Sequence, residues 1–397
     1  MIRIQRTDDD GTSLYVHVPF CVVKCGYCDF TSYVVEDTSV HDTFLAALDA
    51  ELALLPVPRH PTTVFVGGGT PSHLAPQRLE ALFALLRRHV DLDACGEVTM
   101  EANPESIDRR KAEIALAAGV SRFSMGVQSF DAARLRFLDR AHSAECVVAA
   151  VGELRAAGVV NLSLDLIFGV PGQPLSAWED DLERALALQP DHLSCYALTY
   201  EPGTRLTHEL RAGRIARLGE EEERSMFLRT REVLHAAGFR AYEISNFAGR
   251  GGPCRHNDHY WLQGDYVGVG PGASSHRSGH RATNLKPIEA WAKSALARVP
   301  PVATAETLTP EQRVGEAIWL GIRRADGVDL ARVGRRIGCD VRTALWPLLE
   351  RHRARGWIEL DGDTMRLTSE GLLFADAVGS DYLVGEPDAI QTPSDRR

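Results

Sequence analysis

The chain has 397 residues, 44% hydrophobic and 25% charged, an ordinary balance for a soluble globular protein of two or three domains. No apolar run approaches the ~20 residues needed to span a bilayer. With 54 acidic against 44 basic side chains the net charge is −10, which argues against bulk nucleic-acid binding. The polar start MIRIQRTDDDGT does not read as a secretory leader, so a cytoplasmic protein is expected.

Along the first half, short β-branched or apolar runs fall at residues 13–18, 62–66, 97–101, 121–127, 161–167 and 192–198. Helical periodicity fills the gaps at 43–55, 77–90, 108–118, 143–157 and 175–188. Helix starts carry Pro76 or Ser143, and ends carry Gly119, Gly158 or Pro190, the expected punctuation. Strand alternating with helix predicts a parallel sheet with crossover helices, either an incomplete barrel or a doubly wound sheet.

After the first strand comes Cys21-Val-Val-Lys-Cys25-Gly-Tyr-Cys28, with Phe30 two positions further on. Zinc sites usually pair two short ligand elements, and the next cysteine is Cys95. The remaining five cysteines are scattered, as isolated thiols are in a reducing compartment. A [4Fe–4S] cube is normally held by four thiolates. Three thiolates would leave one iron open to a substrate or cofactor.

In either architecture chemistry collects where strands end. Polar and glycine features recur there: Gly67-Gly68-Gly69-Thr70-Pro71, Glu101-Ala-Asn103-Pro104, Gln128-Ser129 with Arg140 following, and Asp165 ahead of Gly169-Val-Pro171-Gly172-Gln173. Singly, the glycines could be a turn and the acids helix caps. Their recurrence at successive strand ends points to one functional rim.

Further on, Arg255-His256-Asn257-Asp258-His259-Tyr260-Trp261 joins an imidazole that can ligate heme iron to flat aromatic faces. The plainer alternative is a His that caps a loop while the aromatics pack in the core. Residues 305–309 read as a linker. Helical patterns follow at 310–320, 330–337 and 341–353, then strands at 357–361 and 364–367 and a last helix from 368. This order suggests a winged-helix-like α+β module. Its arginines are interleaved with acids and read as a solvated face or lid rather than a DNA-binding one. The chain after Val384 has a disordered composition.

The cysteine run followed by an aromatic, the Gly-Gly-Gly-Thr-Pro turn and the six strand–helix units resemble the radical S-adenosylmethionine (SAM) superfamily. The resemblance narrows to its coproporphyrinogen III oxidase-like branch through Tyr15-Val-His17-Val-Pro19-Phe20-Cys21, Gly126-Val-Gln128-Ser129-Phe130 and Asp165-Leu-Ile-Phe-Gly-Val-Pro-Gly-Gln173. It implies a partial (βα)6 TIM-like barrel over 1–240 with the 4Fe–4S site, an extension over 241–304, a winged-helix-like domain over 305–384 and a tail over 385–397. It also implies that Cys21, Cys25 and Cys28 hold the cluster, and that SAM meets Tyr15, Gly68, Gly69, Thr70, Glu101, Gln128, Arg140, Asp165 and Thr199. No residue is assigned a catalytic role.

That branch contains oxygen-independent coproporphyrinogen III dehydrogenases and heme chaperones. The dehydrogenases carry a further cysteine where this chain has Phe30, and usually an N-terminal extension ahead of the first strand. The chaperones carry H-N-x-x-Y-W, which implies heme binding by His256, Asn257, Tyr260 and Trp261; His259 and Cys254 are rival axial ligands. The expected function is therefore a chaperone that delivers heme to hemoproteins, respiratory membrane enzymes among them, and lacks coproporphyrinogen oxidation. The alternative is the dehydrogenase itself. The resemblance leaves room for a heme donor protein, peripheral membrane association and a homodimer.

Overall fold

The structure, a computed structural model, describes residues 11–383; the tail expected at 385–397 lies outside the described residues. The chain divides into two compact units. The first runs to His259 and resumes over Gly264–Ala305. The second combines Tyr260–Gln263 with the chain from Glu306 onward. No helix among the described residues is long and apolar enough to cross a membrane.

Six parallel strands form the heart of the first unit: β1 (Thr12–Val18), β2 (Thr63–Gly68), β3 (Glu97–Ala102), β4 (Arg122–Gln128), β5 (Leu162–Phe168) and β6 (His192–Ala197). Their crossovers carry α1 (Ser39–Leu52), α2 (Pro76–His89), α3 (Arg109–Ala117), α4 (Ala132–Phe137), α5 (Ala144–Ala156) and α6 (Leu175–Ala187). The strands keep close to their expected ranges. Helix α1 starts four residues earlier than periodicity suggests, because Asp42 in its first turn meets the positive end of the helix dipole. The short α4 is a helix that periodicity did not anticipate; Asp131 caps it through Ala133 N and Arg134 N.

Parallel strands buried on both faces usually read as continuous apolar runs. These alternate. Leu14, Val16 and Val18, then Val64 and Val66, then Val98 and Met100, and so on to Leu193 and Cys195, enter one hydrophobic core with the crossover helices. The opposite face presents Glu101, Arg122, Ser124, Gln128, Asp165 and Ser194 to a cavity. A closed barrel fills its interior with branched apolar side chains. Here the inner layer is polar, and the sheet encloses a site.

The sheet continues past the six strands. After α7 (Arg205–Arg211) and α8 (Glu220–Ala236) come the small strands β7 (Arg240–Ala241) and β8 (Asn246–Ala248); β8 adds antiparallel to β6, and β7 antiparallel to β8. Helix α9 (Arg255–Trp261) then leads to β9 (Asp265–Val269), which pairs in parallel with β1, Leu14 opposite Val267. With β10 (Ser274–Arg277), β11 (His280–Asn284) and, after α10 (Ile288–Leu296), β12 (Val302–Thr307), the order is β12-β11-β10-β9-β1-β2-β3-β4-β5-β6-β8-β7. Strand β12 occupies part of the stretch that reads as a linker. Glu51 of α1 ties this addition down: buried, it accepts from Gly270 N at 2.8 Å, Asn284 Nδ2 at 2.6 Å and Trp291 Nε1 at 3.0 Å.

In the second unit, α11 (Pro310–Gly321) opens with a capping box of Thr309 and Gln312. It precedes β13 (Val328–Asp329), α12 (Leu330–Ile337), α13 (Val341–Ala344), α14 (Trp346–Ala354), β14 (Ile358–Asp361), β15 (Thr364–Leu367) and α15 (Ala375–Ser380). The antiparallel order is β13-β15-β14. The helix expected over 341–353 breaks at Leu345, since Pro347 has no N–H to continue a ladder and suits a first turn.

Candidate functional site

The loop after β1 is pinned from three directions. Cys21 N donates to Tyr33 O at 3.0 Å and Tyr33 N to Pro19 O at 2.7 Å. Gly26 N donates to Leu138 O at 3.2 Å, and Leu206 N to Gly26 O at 2.9 Å. Tyr27 packs against the small core of Leu138, Ile167, Val170, Leu198 and Leu206. So held, Cys21, Cys25 and Cys28 all line one cavity of about 450 Å³, with free thiols. Burial pushes the Cys21 thiol up and the Cys28 thiol up to about 11, against a backbone hydrogen bond at Phe30 that lowers the latter.

Among the described residues no three His, Cys, Asp or Glu side chains are placed to hold a single metal ion. A cube meets its three thiolates through three different irons, so the sulfurs need not converge on one point. Three soft sulfur donors on one cavity wall suit an iron–sulfur group.

Opposite the cysteines, Gly68 sits at φ +98°, where only glycine is unstrained, and a Cβ there would fall 2.1 Å from His17 Nδ1. Gly69 N donates to Val18 O at 2.9 Å and Thr70 N to Phe20 O at 2.7 Å. The glycine turn is thus laced to the strand that launches the cysteines. Gly68 N also donates to Glu101 Oε2 at 2.8 Å. Burial, with Asp165 nearby, pushes the Glu101 carboxyl up to about 7 although that N–H pulls it down. Asp165 accepts from Ser124 Oγ at 3.0 Å, and burial raises its carboxyl too.

Arg140 reaches the centre of the rim. It donates to Asn103 Oδ1 at 2.7 Å, to Gly126 O at 2.8 Å and towards Cys25 Sγ at 3.3 Å. Asn103 in turn donates to Thr70 Oγ1 at 2.9 Å, and Thr70 Oγ1 lies 3.5 Å from Cys21 Sγ. One chain of polar contacts therefore joins the ends of β2, β3 and β4 to the cysteine loop. Gln128 has φ 64°, uncommon for a side chain, at a register shift between β4 and β5. Such a bulge re-aims a side chain at a strand end.

Gly68, Gly69, Thr70, Glu101, Gln128, Arg140, Asp165 and Thr199 share the cavity wall with the three cysteines. Tyr15 is not on that wall: its hydroxyl lies 2.9 Å from His17 Nδ1, and His17 Nε2 lies 2.7 Å from Thr31 O. Tyr27, Arg122 and Tyr196, which sequence reasoning left out, also line the cavity, as does Asn103, which it placed on the rim without a role.

The His256–Trp261 run forms α9. Asn257 lines the cavity. His256 is 1% exposed, its Nδ1 is 2.7 Å from Thr63 Oγ1, and its ring lies 5.1 Å from that of Phe65. Burial lowers its imidazole to about 3, so it is neutral. His259 Nε2 lies 2.7 Å from Asp265 O, and Cys254 is fully buried. Tyr260 and Trp261 belong to the second unit.

A family model described as the radical SAM superfamily matches residues 15–185, and one described as the HemN C-terminal domain matches 308–374. A Mycobacterium tuberculosis protein named heme chaperone HemW is 39% identical over 379 residues, 92% of this chain and 93% of that one. The Bacillus subtilis heme chaperone HemW is 32% identical over 375 residues, 94% of this chain and 99% of the relative. Among solved structures, coproporphyrinogen III oxidase (HemN) from Escherichia coli, a radical SAM enzyme, matches with a TM-score of 0.82 at 23% identity, over 96% of this chain and 91% of that one. At that identity the shared property is the fold.

Proposed function

Because this chain belongs to the HemW family of the radical SAM superfamily, we propose that it is a heme chaperone, binding heme and passing it to hemoproteins such as respiratory membrane enzymes. The single observation that carries this reading is the 39% identity, over 92% of the chain, to a relative named heme chaperone HemW. Phe30 in place of a fourth cysteine agrees with it, and coproporphyrinogen oxidation is not expected.

Superfamily membership implies a [4Fe–4S] cluster and SAM, which together supply one-electron chemistry when bound. Cys21, Cys25 and Cys28 would ligate the cluster. Gly68, Gly69 and Thr70 would receive the methionine amino group of SAM at the β2 edge. Arg140, already charged and fixed by Asn103 and Gly126, would face the carboxylate, while Glu101, Gln128, Asp165 and Thr199 complete the wall. Tyr15 would act by orienting His17 rather than by touching SAM.

For heme, the assigned residues are His256, Asn257, Tyr260 and Trp261. His256 is 1% exposed, so ligation through it would require its ring to be uncovered. The test is one anaerobic preparation with reconstituted cluster, titrated with heme and assayed for coproporphyrinogen turnover. Tight heme binding without vinyl formation is expected; the reverse result would replace the chaperone with the dehydrogenase. The same titration on His256→Ala separates an iron ligand, whose loss shifts the Soret band, from an anchor of α9, whose loss leaves the band in place.

A further inference from the structure

His142 stands two residues beyond Arg140, in the loop between α4 and α5, and is not on the cavity wall. Its side chain is fully buried, and its two ring nitrogens meet two different strand ends. Nε2 lies 3.0 Å from Val127 O in the last turn of β4. Nδ1 lies 3.3 Å from Glu105 Oε2, in the turn after β3 that also carries Asn103. A carbonyl oxygen only accepts, so Nε2 carries a hydrogen. Nδ1 and Oε2 are shut away from water, and their approach is too oblique to be a well-formed hydrogen bond. Two such atoms face each other favourably only with opposite charges. Burial raises the Glu105 carboxyl, but His142 and Arg140 outweigh it and hold the group below the usual carboxylate range. Glu105 is therefore a carboxylate, and His142 an imidazolium with hydrogen on both nitrogens.

What the imidazolium holds is strained. Gln128, next to Val127, has φ 64°, and Ser129 N donates back to Val127 O at 2.8 Å. That is a three-residue γ-turn of the positive-φ kind, which is rare and unfavourable. Such a conformation persists where the surroundings over-determine it. Two clamps do so here. After the turn, Asp181 accepts from Ser129 Oγ at 2.9 Å and from Phe130 N at 2.7 Å. Before it, Val127 O takes its second hydrogen bond from His142. The peptide between Val127 and Gln128, whose tilt aims the Gln128 side chain, is the one His142 holds.

We propose that His142 is a positioning residue for SAM: paired with Glu105, it clamps the γ-turn so that the Gln128 carboxamide faces the ligand, given the reading above that SAM occupies this wall. The turn that supplies Glu105 also supplies Asn103 to Arg140, at 2.7 Å. Gln128 and Arg140 are thus set against one common support, and a ligand-facing group is only as precise as the shell behind it.

Two amide substitutions separate the contacts. In His142→Gln the carboxamide nitrogen falls near the place of Nε2 and can still donate to Val127 O. In His142→Asn it falls near the place of Nδ1 and reaches Glu105 alone. Both remove the charge. SAM affinity is measured by calorimetry on the full chain with reconstituted cluster, with iron per chain counted beside it. Amide hydrogen exchange over residues 127–130 is followed in the apoprotein. His142→Gln should bind SAM within about threefold of wild type and His142→Asn weaker by about tenfold or more, the scale of one lost hydrogen bond. Iron content should match wild type in both, and exchange should quicken in His142→Asn but not in His142→Gln. Equal SAM affinity in all three proteins overturns the positioning role. A loss of equal size in both variants overturns it too, because the charge and not the contact to Val127 would then matter. A wild type that takes no SAM sinks the SAM reading instead; the clamp is then judged by exchange, and equal exchange in the three proteins overturns it. Should His142→Asn fail to fold, Glu105→Leu, which frees the ring to turn from Val127 O, takes its place with a loss expected in the same direction.

Discussion

Substituting Gly69 by alanine should part the glycine turn from the cysteine loop. A Cβ on Gly69 would lie 2.6 Å from Val18 O, 2.8 Å from Phe20 N and 2.9 Å from Phe20 O. All three are main-chain atoms, so no side chain can swing aside. Reaching an ordinary contact of 3.4 Å needs a separation of about 0.8 Å between the two segments. That motion would stretch the bonds from Gly69 N to Val18 O, now 2.9 Å, and from Thr70 N to Phe20 O, now 2.7 Å, to the edge of hydrogen bonding. Two weakened bonds at about 1 kcal/mol each, with about 1–3 kcal/mol for overpacking, give a loss of about 3–5 kcal/mol. Urea unfolding of the apoprotein measures this, and iron per chain after reconstitution measures the effect on the loop, expected to fall at least severalfold. Gly152 in α5 provides the control, since a Cβ there meets nothing within 4 Å, and Gly152→Ala should be neutral or stabilise by about 0.5–1 kcal/mol. A Gly69→Ala protein as stable and as iron-loaded as Gly152→Ala would refute the argument that main-chain proximity sets this loop.

Arg140→Met should strand the acceptors Asn103 Oδ1 and Gly126 O and cost about 2–4 kcal/mol. In the reconstituted protein it should weaken SAM at least tenfold, seen as loss of the SAM-induced change in the EPR spectrum of the reduced cluster; an unaltered response would remove Arg140 from the SAM wall. Glu51 gives a pH prediction. Burial pushes its carboxyl up to about 7, above the ~4.3 of an unfolded chain, so the folded protein keeps this proton to higher pH. The resulting stability is complete below about pH 4 and disappears as pH rises through 7, a change of about 3–4 kcal/mol. The stability of wild type minus that of Glu51→Gln should therefore fall between pH 4.5 and pH 8 in urea titrations. A pH-independent difference would mean that the N–H donors of Gly270, Asn284 and Trp291 keep the carboxylate ionised throughout.

Most of the cavity wall is legible in the amino-acid sequence, for two reasons. The cysteine spacing is local in the chain and cannot be altered by folding. The strand ends are marked by residues that a packed interior would not tolerate, so Glu101, Gln128 and Asp165 stand out against apolar neighbours. Arg122 is not legible, because at the start of β4 it looks like a surface charge; pairing places it 2% exposed in the inner layer, with one nitrogen 3.3 Å from His192 Nδ1. Tyr15 is assigned to SAM by the resemblance alone; its hydroxyl lies 2.9 Å from His17 Nδ1, and it is not among the residues that line the cavity.

Periodicity and short-range spacing in the sequence carried the parallel strand–helix order and the cysteines and polar strand-end residues that line the cavity, while the superfamily came from the resemblance of the motifs. Tertiary structure decided what lies between distant segments. It sets β9 beside β1, buries Glu51 among residues more than 200 positions away, and turns His256 onto Thr63. A motif states which side chains are available. Only packing decides which of them remain exposed to meet a ligand, because each buried hydrogen bond already made must be broken before its partner can serve another.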